Sequence, residues 1–283
     1  MNCELQYYEL PRLASSGAGR VSMSGALLAT AGVAVGLSAY LYMTGSRIAL
    51  RHGKPSSTSV PAVLYCFPPT TCSRRVLATL AELGAVEGRD FVIESVPTTG
   101  PNKSAMHLAR QPFGKIPVWG EGDWMLYESA AICEYLCHRF PGQAASNLLP
   151  PAGRARAEVH KWLSVEATEL RPNILKPYKE RVLKPMKGLG TPDEAVVTQA
   201  CKDMQPALDV LDAQLASSAF LAGDTFTLAD LAFLPYLEAL CAAKCDHLIA
   251  ARPHLSEWWA RVRARPKWQQ VVGMALKYLP KNK

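Results

Sequence analysis

Cysteine is sparse in this chain and follows no pattern. Eight of the 283 residues are cysteine: Cys3, Cys66, Cys72, Cys133, Cys137, Cys201, Cys241 and Cys245. None forms a C-x-x-C pair. So low a density excludes a disulfide scaffold and favours a reducing compartment. Cys133/Cys137 and Cys241/Cys245 are each four apart, a spacing that puts each pair on one helix face. No histidine stands at metal-ligand spacing beside them, so no metal is expected. Most of the cysteines read as small buried hydrophobes. Charge is also thin, 19% against 49% hydrophobic residues, which excludes disorder for most of the chain. The net charge is +7, but its lysines and arginines are scattered among acids. The basic cluster near the C-terminus reads as a solvated face, and no nucleic-acid-binding motif accompanies it.

Between Arg20 and Arg47 charge is missing altogether. The apolar heart, Gly25 to Met43, would be about 29 Å long as a helix, close to a bilayer's hydrocarbon thickness. Tyr40 and Tyr42 stand near one end, as interfacial residues do. Gly25, Ala29, Gly32 and Gly36 form a stripe of small residues that lets a partner helix approach. Glu4 and Glu9 among the first twenty residues fit neither a secretory signal nor a transit peptide. A single spanning helix is therefore expected. Arg47, Arg51 and Lys54 follow it, so the positive-inside rule puts the rest of the chain on the cytosolic, matrix or stromal side. The stretch Lys54 to Pro61, KPSSTSVP, reads as linker.

Beyond it, AVLYC at Ala62 to Cys66 has strand composition. The stretch Ser73 to Leu83 places Val76, Leu77, Leu80 and Leu83 on one helix face, with Thr71 or Ser73 as N-cap. Gly84 ends that helix, and Phe91 to Val96 makes a second, parallel strand. QPFGKIP, at Gln111 to Pro117, suggests a rigid or cis turn at Ile116–Pro117. A strand at Trp124 to Tyr127 then meets Glu128-Ser129, which open a helix running to His138. That pair fits ordinary capping; it also fits a zwitterion, with helix N–H groups on a carboxylate and Glu128 on an ammonium. From Pro150 onward the pattern is helical. Trp162, Leu163 and Val165 lie within Ala155 to Leu170, and apolar positions repeat from Asp193 to Leu215. Thr227 and Asp230 make a capping box for an apolar helix.

The stretches LYCFPPTTCSRRVLATLAELGA, ARQPFGKIPVWGEGDWMLYESAAICEYL and FLAGDTFTLADLAFLPYLEAL, in that order, resemble the glutathione transferase superfamily, most of all its phi class. The resemblance runs from about Ala62 to Lys277. It implies an α/β plus all-α fold: a thioredoxin-like glutathione-binding domain at 62–141, then an all-helical domain at 150–283. Before them stand a tail at 1–24, the transmembrane helix at 25–43 and a linker at 44–61. Glutathione is implied as co-substrate. Thr70 stands where phi enzymes hold the serine that activates its sulfur. Lys103, Lys115, Ile116, Pro117, Glu128 and Ser129 match glutathione-binding positions. Leu170 and Tyr178 are candidate walls of the electrophile pocket between the domains. Cys72 is two residues past the aligned position and reads as structural rather than nucleophilic.

Two departures stand out. Thr70 carries a β-methyl that the family serine lacks. Ala130 stands where phi sequences usually have an arginine near the dimer contact, which puts the family's homodimer in question. Two functions follow. One is a membrane-anchored transferase conjugating glutathione to hydrophobic electrophiles. The other is an accessory subunit of a membrane complex, such as a mitochondrial respiratory one, assembled through the small-residue stripe. The mitochondrial inner membrane is expected ahead of the endoplasmic reticulum or a plastid.

Overall fold

A computed structural model describes residues 61–278. The expected tail, the run Gly25 to Met43 and nearly all of the linker lie outside the described residues. Among the described residues no helix is long and apolar enough to cross a membrane.

Strand β1 (Ala62–Cys66) lies between β2 (Phe91–Ser95) and β3 (Val118–Glu121), with β4 (Trp124–Tyr127) on β3's far side. A strand flanked on both sides needs apolar residues throughout, and only Val63 of AVLYC is not fully buried. The β1–β2 pair is parallel and the other two are antiparallel. The parallel pair requires a crossover, supplied by helix α1 (Thr71–Glu82). Gly122, at φ 59°, provides the positive φ that the tight β3–β4 turn demands. Helix α2 (Ala105–Arg110) precedes β3, and α3 (Ser129–Arg139) follows β4 and packs on α1.

The second half is helical throughout. After α4 (Gln143–Leu148), the chain winds from α5 (Arg154–Val165) into α6 (Arg171–Tyr178) and on to Met186. Two π turns interrupt it, Glu166–Leu170 and Lys179–Leu183. Each ends two residues before a proline, Pro172 or Pro185. A proline has no N–H to close the helical bond, and its ring crowds the carbonyl four residues back. Those carbonyls, of Thr168 and Arg181, lie within the two π turns, where widening moves them off the ring. The apolar repeat expected from Asp193 to Leu215 is cut at Met204 into α7 (Glu194–Asp203) and α8 (Gln205–Leu215), with Pro206 in the first turn of α8.

Helix α9 (Leu228–Ala242) is the core of this half, with twelve of its fifteen residues buried. The Thr227 capping box is formed. The buried Asp230 also accepts from Leu221 N at 2.9 Å and Trp258 Nε1 at 3.0 Å, so one carboxylate joins three segments. Helices α10 (His247–Ala250), α11 (Pro253–Arg263) and α12 (Pro266–Leu276) complete the chain, and α12 packs on α1. One expectation is corrected. Cys241 and Cys245 do not share a helix face, because α9 ends at Ala242 and Lys244 turns left-handed at φ 60°.

Candidate active site

The segment before β3 is fixed by side chains gripping its backbone. Lys103 Nζ donates to the Phe113 carbonyl at 2.9 Å, and Asn102 Nδ2 to the Gly114 carbonyl at 2.9 Å. The Lys115 N–H donates to Gln111 Oε1 at 3.1 Å, while its carbonyl meets His107 Nε2 at 2.8 Å. Gly114 is obligatory: at φ 60°, a Cβ there would lie 2.7 Å from Lys103 Cδ and 2.8 Å from the Asn102 carbonyl. The segment ends in the cis Ile116–Pro117 peptide.

The second edge is the start of α3. Glu128 stands at its N-cap with φ 72° and ψ 110°, exposed, and its side chain makes no capping bond. The capping reading of Glu128 is thereby set aside. Ser129 is buried, and its Oγ accepts from Arg75 Nη1 at 3.4 Å.

The third edge is the β1–α1 turn. Thr70 precedes α1, as expected of the aligned position, and is half-buried. Its hydroxyl lies 2.9 Å from the Phe67 carbonyl and 2.7 Å from Ser73 Oγ. Ser73 Oγ in turn accepts from the Phe67 N–H at 3.3 Å. The Thr70 proton is thus committed inside the turn. Cys72, by contrast, reaches the cleft and sits with its sulfur 3.3 Å from the Tyr236 hydroxyl. Burial pushes the neighbouring Cys66 thiol up to about 12 against an opposing bond from Ser73, so Cys66 is no nucleophile.

One small cleft brings these edges together. Cys72, Gln111, Lys115, Ile116, Pro117, Glu128 and Ser129 line it. Five of the residues expected at a glutathione site are there. Thr70 and Lys103 are not among the lining residues: Thr70 bonds within its turn, and Lys103 holds the Phe113 carbonyl. Leu170 is corrected outright. It is completely buried in the core and has no surface left to face an open cleft. Tyr178 is half-buried, packed against the same core. Ala130 is exposed. Among the described residues, no three His, Cys, Asp or Glu side chains gather as metal ligands.

Beneath the cleft lies a buried charge cluster that sequence reasoning missed. Arg75 Nη2 donates to Glu166 Oε2 at 2.6 Å, and Arg171 Nε to Glu166 Oε1 at 2.8 Å. Arg75 and Glu166 are almost wholly inaccessible. Both guanidiniums sit 5.2 Å from the centroid of the Tyr236 ring. Burial pulls the Arg75 guanidinium down most strongly, but the Glu166 carboxylate and the Tyr236 hydroxyl together outweigh it, so the net displacement is upward. The π turn that opens at Glu166 carries this carboxylate to Arg75, and Arg75 reaches on to Ser129. No local signal marks Glu166, which stands in the sequence beside Ser164, Thr168 and a second acid, Glu169. For Gln111 the signal was its place at the head of QPFGKIP.

Residues 64–144 match the family model of the glutathione S-transferase N-terminal domain, and residues 155–266 that of its C-terminal domain. Glutathione S-transferase 3 of Zea mays is 39% identical over 217 residues, 75% of this chain and 93% of the relative. The chain belongs to the glutathione S-transferase family. Glutathione S-transferase F10 of Arabidopsis thaliana is 37% identical over 212 residues, 74% of this chain and 96% of the relative. The solved structure of glutathione S-transferase I bound with lactoylglutathione superposes with a TM-score of 0.69 at 31% identity, over 76% of this chain and 99% of that one. The phi-class resemblance stands with these matches, and so does the pairing of a thioredoxin-like domain with a helical transferase domain.

Proposed function

We propose that the cleft binds glutathione and that the chain conjugates it to hydrophobic electrophiles. The observation that carries this is the convergence on one cleft of the cis Ile116–Pro117 peptide, Lys115, the uncapped Glu128 carboxylate and Ser129 at the start of α3. Glu128 takes the ligand's ammonium. Ser129 and the first N–H groups of α3 take the γ-glutamyl carboxylate. The Ile116 backbone pairs with the cysteinyl residue, and Lys115 meets the glycine carboxylate. The sulfur then lies toward the N-terminus of α1, whose amides favour a thiolate. The bound structure of a relative with lactoylglutathione supports the reading. Retention of the protein on immobilised glutathione, lost in Glu128→Ala, tests it. Equal retention of variant and parent overturns it.

A second reading, binding without conjugation, draws on Thr70, whose hydroxyl is engaged by Phe67 and Ser73. Conjugation of a generic aromatic electrophile by the parent, measured against the solution reaction, separates the two. Membrane anchoring through Gly25 to Met43 rests on the absence of charge there and on Arg47, Arg51 and Lys54. Release by carbonate washing overturns it. Native sizing after detergent extraction distinguishes a homodimer from an accessory subunit with fixed companions.

A further inference from the structure

Far along the sequence from the cleft, two thiols have been brought together. Cys201 is on α7, half-buried; Cys245 follows the left-handed Lys244 beyond α9 and is fully buried. Their sulfurs are 3.6 Å apart, although 44 residues separate them. Arg181 Nη1 is 3.6 Å from Cys245 Sγ, 3.0 Å from the Ala243 carbonyl and 3.3 Å from the Lys244 carbonyl. The same guanidinium pairs with Glu194 at the start of α7. Arg181 therefore holds both segments that carry the thiols.

We propose that Cys201 and Cys245 are a reversible disulfide pair, oxidised and reduced by the glutathione couple. A disulfide needs its sulfurs about 2.05 Å apart, so closure asks for roughly 1.5 Å, within reach of side-chain rotation. The order of events follows from exposure. Burial and the neighbouring Cys201 push the Cys245 thiol up to about 12, which keeps it protonated in the resting protein. Cys201 meets the oxidant first. Its thiolate attacks one sulfur of glutathione disulfide, the S–S bond breaks, and one glutathione leaves as a thiolate. Cys245 then attacks the Cys201 sulfur with Arg181 beside the developing thiolate, and its proton passes to the sulfur of the departing second glutathione. The second glutathione leaves. Two protein thiols are oxidised, and one glutathione disulfide becomes two glutathiones. Excess glutathione runs the sequence backwards. The oxidant approaches the half-buried Cys201 from solvent, so the exchange does not require glutathione to bind in the cleft.

The test equilibrates the reduced full-length protein with mixtures of glutathione and glutathione disulfide. The samples are quenched in acid, alkylated after denaturation and mapped by peptide mass. A peptide joining Cys201 to Cys245 is expected, rising with the proportion of disulfide and vanishing in excess glutathione. In Cys245→Ser the reaction should stop at one glutathionyl group on Cys201. In Cys201→Ser neither the cross-link nor an adduct on Cys245 should form. Full alkylation of both cysteines in glutathione disulfide alone overturns the proposal. So does a parent protein that accumulates the Cys201 adduct without closing to the cross-link.

Discussion

At one end of the cleft, side chains from outside the segment hold the backbone still; at the other, side chain and backbone of one turn are committed to each other. The segment Gln111 to Pro117 is gripped by Asn102, Lys103, His107 and Gln111. Glu128 beside it spends nothing on capping. In the β1–α1 turn, Thr70 bonds Phe67 and Ser73, and Ser73 bonds Phe67. Recognition of a peptide needs fixed backbone, whereas activating a sulfur needs a donor with a proton to give. The first requirement is met by the described geometry at one end; at the other, the hydroxyl would first have to leave its own turn. Binding and sulfur chemistry can therefore vary separately in this fold.

The variant with the largest expected effect breaks both ends at once. Glu166→Gln leaves Arg75 and Arg171 buried without their counter-charge, and the expected loss of stability is about 3–5 kcal/mol. Urea unfolding measures it. A loss under about 1 kcal/mol would mean that the cluster does not tie the two halves together. Next comes Glu128→Ala, which removes a single charge-assisted bond and should weaken glutathione binding about 10- to 100-fold with the fold intact. Titration calorimetry reads this directly, and unchanged affinity would erase the contrast between the ends. Gln111→Leu leaves the Lys115 N–H without its acceptor. It should cost about 1–3 kcal/mol of stability and weaken binding by less than about tenfold. A Gln111 variant with parent-like stability and affinity would show that the grip on this segment is redundant. The smallest effect is expected at Thr70. Since its proton is already engaged, Thr70→Val should change kcat/KM for an aromatic electrophile by less than about threefold, against the hundredfold or more typical of removing a working donor. A hundredfold loss would show that the hydroxyl swings out to the sulfur.

Much of this was legible in the sequence. Strands β1 and β4 carry the composition and length that their positions demand, and the capping box of Thr227 and Asp230 marks the start of α9 at Leu228. The cleft's outer edges were legible because QPFGKIP and Glu128-Ser129 are contiguous: local chain geometry builds them. What escaped was made by the tertiary fold. Leu170 looked like a pocket wall by helical position, but the π turn before α6 carries it into the core. Cys72 reads as structural and is buried against the Tyr236 hydroxyl, but its place at the edge of the cleft comes from the turn of α1. Glu166 and Arg75 meet across 91 residues, and no spacing rule reaches that far. Nor could periodicity join Cys201 to Cys245, since the helix expected to carry Cys241 and Cys245 together stops between them.

The backbone at Glu128 has a consequence for how this chain can change. A non-glycine residue at φ 72° and ψ 110° occupies a sparsely populated conformation that costs roughly 1–3 kcal/mol. Glycine would relieve that strain and at the same stroke delete the carboxylate. Glu128→Gly is thus the substitution that random drift toward greater stability would favour, and it is also one that would silence ligand capture. Folding alone would favour glycine at this position, so what glutamate adds there is its carboxylate.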